Sequence, residues 1–256
     1  MHHHLRILCT LGALLWFSDA YAGTVSLMTS DGVALQGTQF GSGKHGVVLV
    51  HDKGRSQEDW TFFAEKLAQA PLNVVAINLR GHGAAASAPA AEDYPKMVAD
   101  VAAAVAWLRS KGATRVDVVG AGFGANLALQ AAAADPGIAT AVLLSPGLNL
   151  QGVTLSSAVA GYGARPLLVV ASQEDTYALR SGTYLEEKIL GEKKFELLED
   201  AGSGVKMLNR APALEGLLLS WLNGSYELTA GIGKPDKLNT GDSTSIETKG
   251  KKFGEH

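Results

Sequence analysis

Short runs that are apolar at nearly every position recur along the chain. They are Val47-Val48-Leu49-Val50-His51, Val74-Val75-Ala76-Ile77-Asn78, Val116-Asp117-Val118-Val119, Ala141-Val142-Leu143-Leu144 and Pro166-Leu167-Leu168-Val169-Val170. A run without alternation marks a strand covered on both faces, as in a parallel sheet. Phe195-Glu196-Leu197-Leu198 predicts one more strand. Between these runs the apolar residues return at helical spacing, which predicts helices near 58–70, 93–110 and 176–190. A further helix follows Gly124 and is closed by Asp135-Pro136-Gly137, and a last one spans 211–222. Near the N-terminus, Thr24 to Met28 and Val33 to Thr38 alternate around Asp31-Gly32, the mark of a β-hairpin. Strands alternating with helices imply an α/β fold: a mostly parallel, doubly wound sheet entered through an antiparallel hairpin. The short stretch from Ser145 to Pro166 leaves little room for a lid, and no internal repeat is visible.

The two ends of the chain break this pattern. Arg6 precedes the apolar run Ile7 to Phe17, and Ala20-Tyr21-Ala22 offers the small residues of a cleavage site, so residues 1–22 read as a signal peptide. That predicts an exported protein, periplasmic or secreted, starting at Gly23. The run is too short to span a bilayer comfortably. Cys9, the only cysteine, lies in this segment, so the exported chain carries no disulfide. Residues 225–256 shift to Gly, Ser, Thr, Lys and Asp and read as a polar, disordered tail. The domain is therefore residues 23–224. With 46% hydrophobic residues and a net charge of −3, nothing calls for a nucleic-acid partner.

The chemistry centres on Val116-Asp117-Val118-Val119-Gly120-Ala121-Gly122-Phe123-Gly124-Ala125, a strand, a glycine-rich turn and a helix start. It has the layout of a nucleophile elbow, G-x-S-x-G, with glycines where side chains would collide with the neighbouring strand and helix. Other strand ends fit the same plan. Leu49-Val50-His51-Asp52-Lys53-Gly54 matches an oxyanion-loop strand and Leu79-Arg80-Gly81-His82-Gly83 the turn after the next strand. Glu174-Asp175 follows the strand that presents an acid, and Ala201-Gly202-Ser203-Gly204-Val205-Lys206-Met207-Leu208 matches an A-G-H-G-x-x-M-L turn. On these residues the stretch 24–222 resembles the α/β-hydrolase superfamily, in particular its small lidless esterase-like and dienelactone-hydrolase-like members.

The resemblance implies a Ser-His-Asp triad, in which a hydroxyl attacks, an imidazole takes its proton and a carboxylate orients that imidazole. Here the three positions are Gly122, Ser203 and Asp175, so only the acid stands. Beyond residue 22 the histidines are His45, His51, His82 and His256, none in the body after residue 82, whereas the family order is Ser, acid, His. The reading is a pseudoenzyme without catalytic machinery that keeps a small-ligand cleft. Phe123 N–H at the helix start and an N–H of the Asp52-Lys53 loop would point into the former oxyanion hole. With no side chain at Gly122, space remains there for a small anionic or acyl ligand.

An enzymatic alternative, an ester hydrolase with an unconventional site, would recruit His51 or His82 as base. His51, ending a buried strand, otherwise reads as a core histidine bonded to backbone, and His82 as a loop-shaping residue. Asp175 equally suits a helix cap. Ser145 and Ser172 are loop hydroxyls. Lys53, Arg55 and Arg80 lie past strand ends, where open α/β sheets bind ligands. No cofactor is implied: there is no H-x-H or H-E-x-x-H pattern for a metal, and Gly81-His82-Gly83 lacks the order of a dinucleotide loop.

Overall fold

The structure is a computed structural model and describes residues 22–83 and 88–226. The expected leader, apart from Ala22, and the stretch 227–256 of the expected tail lie outside the described residues. The apolar runs form the middle of one eight-stranded sheet. In chain order its strands are β1 (Ala22–Met28), β2 (Ala34–Gly41), β3 (His45–Val50), β4 (Leu72–Ile77), β5 (Arg115–Ala121), β6 (Ile138–Leu144), β9 (Leu167–Ser172) and β10 (Lys193–Leu198). Their spatial order is β1-β2-β4-β3-β5-β6-β9-β10. The hairpin β1–β2 is antiparallel and β2 joins β4 antiparallel; every pairing from β4 to β10 is parallel. The α/β fold with an N-terminal antiparallel hairpin is the one expected.

Parallel strands need helical crossovers, and these divide between the two faces. Strand alternation decides which residues each face buries. Val48 and Val50 pack with Val118 under α2 (Val98–Ser110), α3 (Phe123–Ala134), α4 (Ser156–Tyr162) and α5 (Thr176–Lys188). Val47 and Leu49 pack with Val119 under α1 (Thr61–Leu67), α6 (Lys206–Arg210) and α7 (Ala213–Leu222). Each such side chain, once fully buried, contributes about 1.5–3 kcal/mol. Because these strands run parallel, all of them end at the same edge of the sheet, and that edge carries the site.

Three local features depart from the sequence reading. The helix expected from residue 93 begins at Val98, behind single 3-10 turns at Ala91–Asp93 and Pro95–Met97. Pro95 starts the second turn, having no N–H to give to a longer helix. Between β6 and α4 lies a small hairpin, β7 (Asn149–Leu150) with β8 (Val153–Thr154). It is held by the buried Asn126, whose amide donates to Gly147 and Val153 carbonyls at 2.7 and 2.8 Å. Tyr226, assigned above to the tail, lies against the body: its ring is 5.4 Å from that of Trp221.

Candidate functional site

The elbow is built at the end of β5. Gly122 has φ 53° and ψ −120°, a conformation that costs a residue with a side chain about 1–3 kcal/mol. Its N–H donates to Leu144 O at 2.8 Å, and its carbonyl accepts from Ala125 N at 3.0 Å as α3 begins. The flanking glycines are required by close approach. A Cβ on Gly120 would overlap the Gly124 backbone, and one on Gly124 would overlap the carbonyls of Val50 and His51.

Above Gly122 sits the carboxylate of Asp52. Its Oδ1 accepts from Phe123 N at 2.7 Å and from Lys53 N at 2.7 Å. The two N–H groups expected to converge do so, but the anion between them belongs to the chain itself. The open space expected above Gly122 is thereby corrected. A Cβ added at that glycine would lie closer than 3.0 Å to the Asp52 carboxyl carbon and both its oxygens. The physical reason is local. A helix N-terminus attracts negative charge, and a carboxylate on the adjoining loop meets it without the entropy loss of a free anion.

The histidines serve the loops. His51 is fully buried; Leu79 N donates to its Nε2 at 3.1 Å, so the proton sits on Nδ1, which meets Asp52 O at 2.7 Å. Burial pushes its pKa down to about 4. His82 repeats the arrangement: Gly54 N donates to Nε2 at 3.2 Å, and Nδ1 faces Arg80 O at 3.0 Å. The two rings lie 5.0 Å apart and join the loop after β3 to the loop after β4. Both ring nitrogens of each imidazole are engaged with backbone partners. His45 lies at the opposite edge of the sheet, 2.6 Å from the buried Asp117.

The other expected positions meet around one cleft of about 150 Å³, where Gly122, Asp52, Asp175, Ser203, Ser145 and Leu150 form part of the wall. Asp175 caps α5, its Oδ1 accepting from Ala178 N at 3.0 Å. Ser203 is exposed in the turn before α6. From the sequence, the side chains that hold this turn read as an acid at a strand end, Glu174, and loop hydroxyls, Ser172 and Ser145, not as its tethers. Glu174 accepts from Gly202 N at 2.6 Å and from the Ser172 hydroxyl, and that bond from Ser172 holds its carboxyl below the usual range. Ser172 Oγ in turn accepts from Ala201 N at 3.0 Å. Ser145, at φ 52°, accepts from Gly204 N at 2.9 Å. A serine or glutamate at a strand end signals such tethering only once the turn it reaches is known.

Of the three cations past strand ends, Arg80 is buried. It grips Asp100 through Nε and Nη2 at 2.8 and 2.6 Å and Asp31 through Nη1 at 2.6 Å. Arg55 forks onto Asp59, and Lys53 Nζ stands 5.1 Å from the Tyr94 ring centre. Among the described residues no group of three or more His, Cys, Asp or Glu is placed to hold a metal ion.

This geometry can be set beside known proteins. An esterase from Pyrococcus furiosus superposes with a TM-score of 0.68 at 18% identity, over 80% of this chain and 91% of that one. A dienelactone hydrolase from Anabaena variabilis gives 0.66 at 20% identity, over 80% and 97%. An esterase from Exiguobacterium antarcticum gives 0.63 at 15% identity, over 78% and 99%. At such identities the likeness carries the fold alone. No curated protein matches the chain. The sequence profile described as the alpha/beta hydrolase family, however, matches residues 47–227, from within β3, through the elbow, to the end of the described body. With the mostly parallel sheet, the glycine-flanked elbow and that match together, the chain belongs to the alpha/beta hydrolase family.

Proposed function

We propose that this protein is an exported, non-catalytic member of its family, a pseudoenzyme that keeps a small-ligand cleft at the ends of its parallel strands. One observation carries the reading. The Asp52 carboxylate takes the Phe123 and Lys53 N–H groups and fills the volume that a nucleophile's side chain would need at residue 122. Stabilisation of a tetrahedral intermediate requires those donors to be available to a developing oxyanion, and here an anion already holds them. Gly122 offers no hydroxyl and Ser203 no basic nitrogen, and His51 and His82 are committed to backbone partners. Were the protein an enzyme after all, the resemblance would make it an ester hydrolase.

Labelling by a fluorophosphonate and turnover of short p-nitrophenyl esters test this directly, and neither is expected. Turnover that disappears in His51→Ala or His82→Ala would replace the reading with an unconventional hydrolase. Export rests on the leader composition. Cleavage after Ala22 would leave Gly23 to Met28 of β1 intact, paired with β2 from Gln39 to Ala34. N-terminal sequencing of periplasmic or secreted protein should return Gly23; soluble protein that retains residues 1–22 would count against export.

A further inference from the structure

A second hollow of about 220 Å³ adjoins the cleft and shares Asp52 and Ser203 with it. Its remaining walls come from the loop after β3, with Lys53, Arg55 and Asp59, and from α6, with Lys206 and Asn209. The carboxylates here are already engaged. Asp59 receives the Nε and Nη2 donors of Arg55 at 2.6 and 2.5 Å. Asp52 receives two backbone N–H groups, and the start of α3 further offsets its charge. The donors are in the opposite condition. Among the described residues neither Lys53 nor Lys206 has a carboxylate within 4.0 Å, and the side chains of Ser203 and Asn209 have no hydrogen-bond partner. Lys53 is steadied over the Tyr94 ring rather than neutralised. The hollow is therefore walled by two lysines without a carboxylate partner, a serine and an asparagine, beside a carboxylate that will repel any anion seated directly over Gly122.

We propose that this hollow binds the oxyacid group, carboxylate or phosphate, of a small organic ligand. Lys53 and Lys206 supply the counter-charge and Ser203 and Asn209 neutral donors. The ligand's remaining atoms reach across Ser203 into the cleft beside Leu150 and Asp175. This deepens the reading of a ligand cleft by moving the anion away from the elbow donors, which Asp52 occupies, to the side chains next to them. The lysines act as point charges and the neutral donors orient the group between them.

The test uses the full exported chain, titrated with inorganic phosphate, acetate and citrate against chloride at matched ionic strength. Melting temperature and calorimetry provide the readouts. A saturable rise with phosphate alone assigns a phosphoryl ligand, and one with the carboxylates alone a carboxylate. A rise that is equal for all anions, or none, overturns the proposal. Lys206→Gln and Lys53→Gln change exposed side chains, and their melting in chloride checks that they fold. Each should weaken binding about tenfold or more, as expected for loss of a charge-assisted contact. Binding that survives both changes places the anion elsewhere and overturns the site. Ester turnover would sink the non-catalytic reading without altering these titrations, so the two failures are separable.

Discussion

Asp52 and Gly122 have to be considered together. A side chain at residue 122 and the carboxylate at residue 52 compete for one volume, so a serine restored at 122 must first displace Asp52. Gly122→Ser with Ser203→His would supply a hydroxyl and an imidazole beside Asp175, yet we expect no labelling by a fluorophosphonate. Adding Asp52→Ala frees the volume and both N–H donors, and weak labelling should then emerge, to be lost again on Asp175→Asn. Labelling of the double variant would show that Asp52 is no obstacle. His51 makes a separate prediction in pH. Its folded pKa of about 4 lies below the ordinary 6.5, so the unfolded chain binds the proton more readily. The stability this neutral imidazole contributes is complete above pH 6.5 and is lost as the pH falls towards 4. The difference amounts to about 3 kcal/mol at most. Urea unfolding at pH 7 and pH 4.5 should show that decline in the wild type and a shallower one in His51→Gln.

Between elements, the ties that matter are polar and long-range, and these are what the sequence hides. The strands were legible because their residues are apolar on both faces, and the elbow because Gly120 and Gly124 mark positions where backbones touch. By contrast, α6 is only Lys206–Arg210, and the hairpin at 149–154 depends on Asn126 reaching across from α3. Neither has a local pattern long enough to read. Asp52 was legible as a loop residue but not as the occupant of the oxyanion donors, since that follows from a contact 71 residues away. Arg80 is the clearest such tie. It joins the β1–β2 turn through Asp31 to the buried Asp100 of α2, whose side chain is 0% exposed. Arg80→Ala would strand that carboxylate, and removal of one partner from a buried pair costs about 3–5 kcal/mol. Equilibrium urea denaturation should show a loss of this size. A loss below about 1 kcal/mol would mean that Asp100 finds water or another donor.

At the scale of the whole molecule the question is where the folded body ends. Composition alone puts the boundary at Gly224, because almost nothing beyond it can be buried. Yet the Tyr226 ring packs at a tilt against Trp221 and lies 5.4 Å from the Lys194 ammonium, so it joins the end of α7 to the edge strand β10. Trp221 is itself anchored, its indole N–H donating to Thr140 Oγ1 at 3.0 Å. Truncation after Gly224 therefore removes an aromatic pair worth about 0.5–1.5 kcal/mol beyond its area, together with a cation–π contact. Truncation after Tyr226 removes neither. For a domain of this size 1 kcal/mol moves the melting temperature by roughly 2–4 °C. The shorter chain should melt lower by about that amount, while the chain ending at Tyr226 should match the full-length protein. Equal melting of all three would show that the Tyr226 contact adds nothing to stability. A drop already present on removal of residues 227–256 would mean that those residues, polar as they are, contribute to the body.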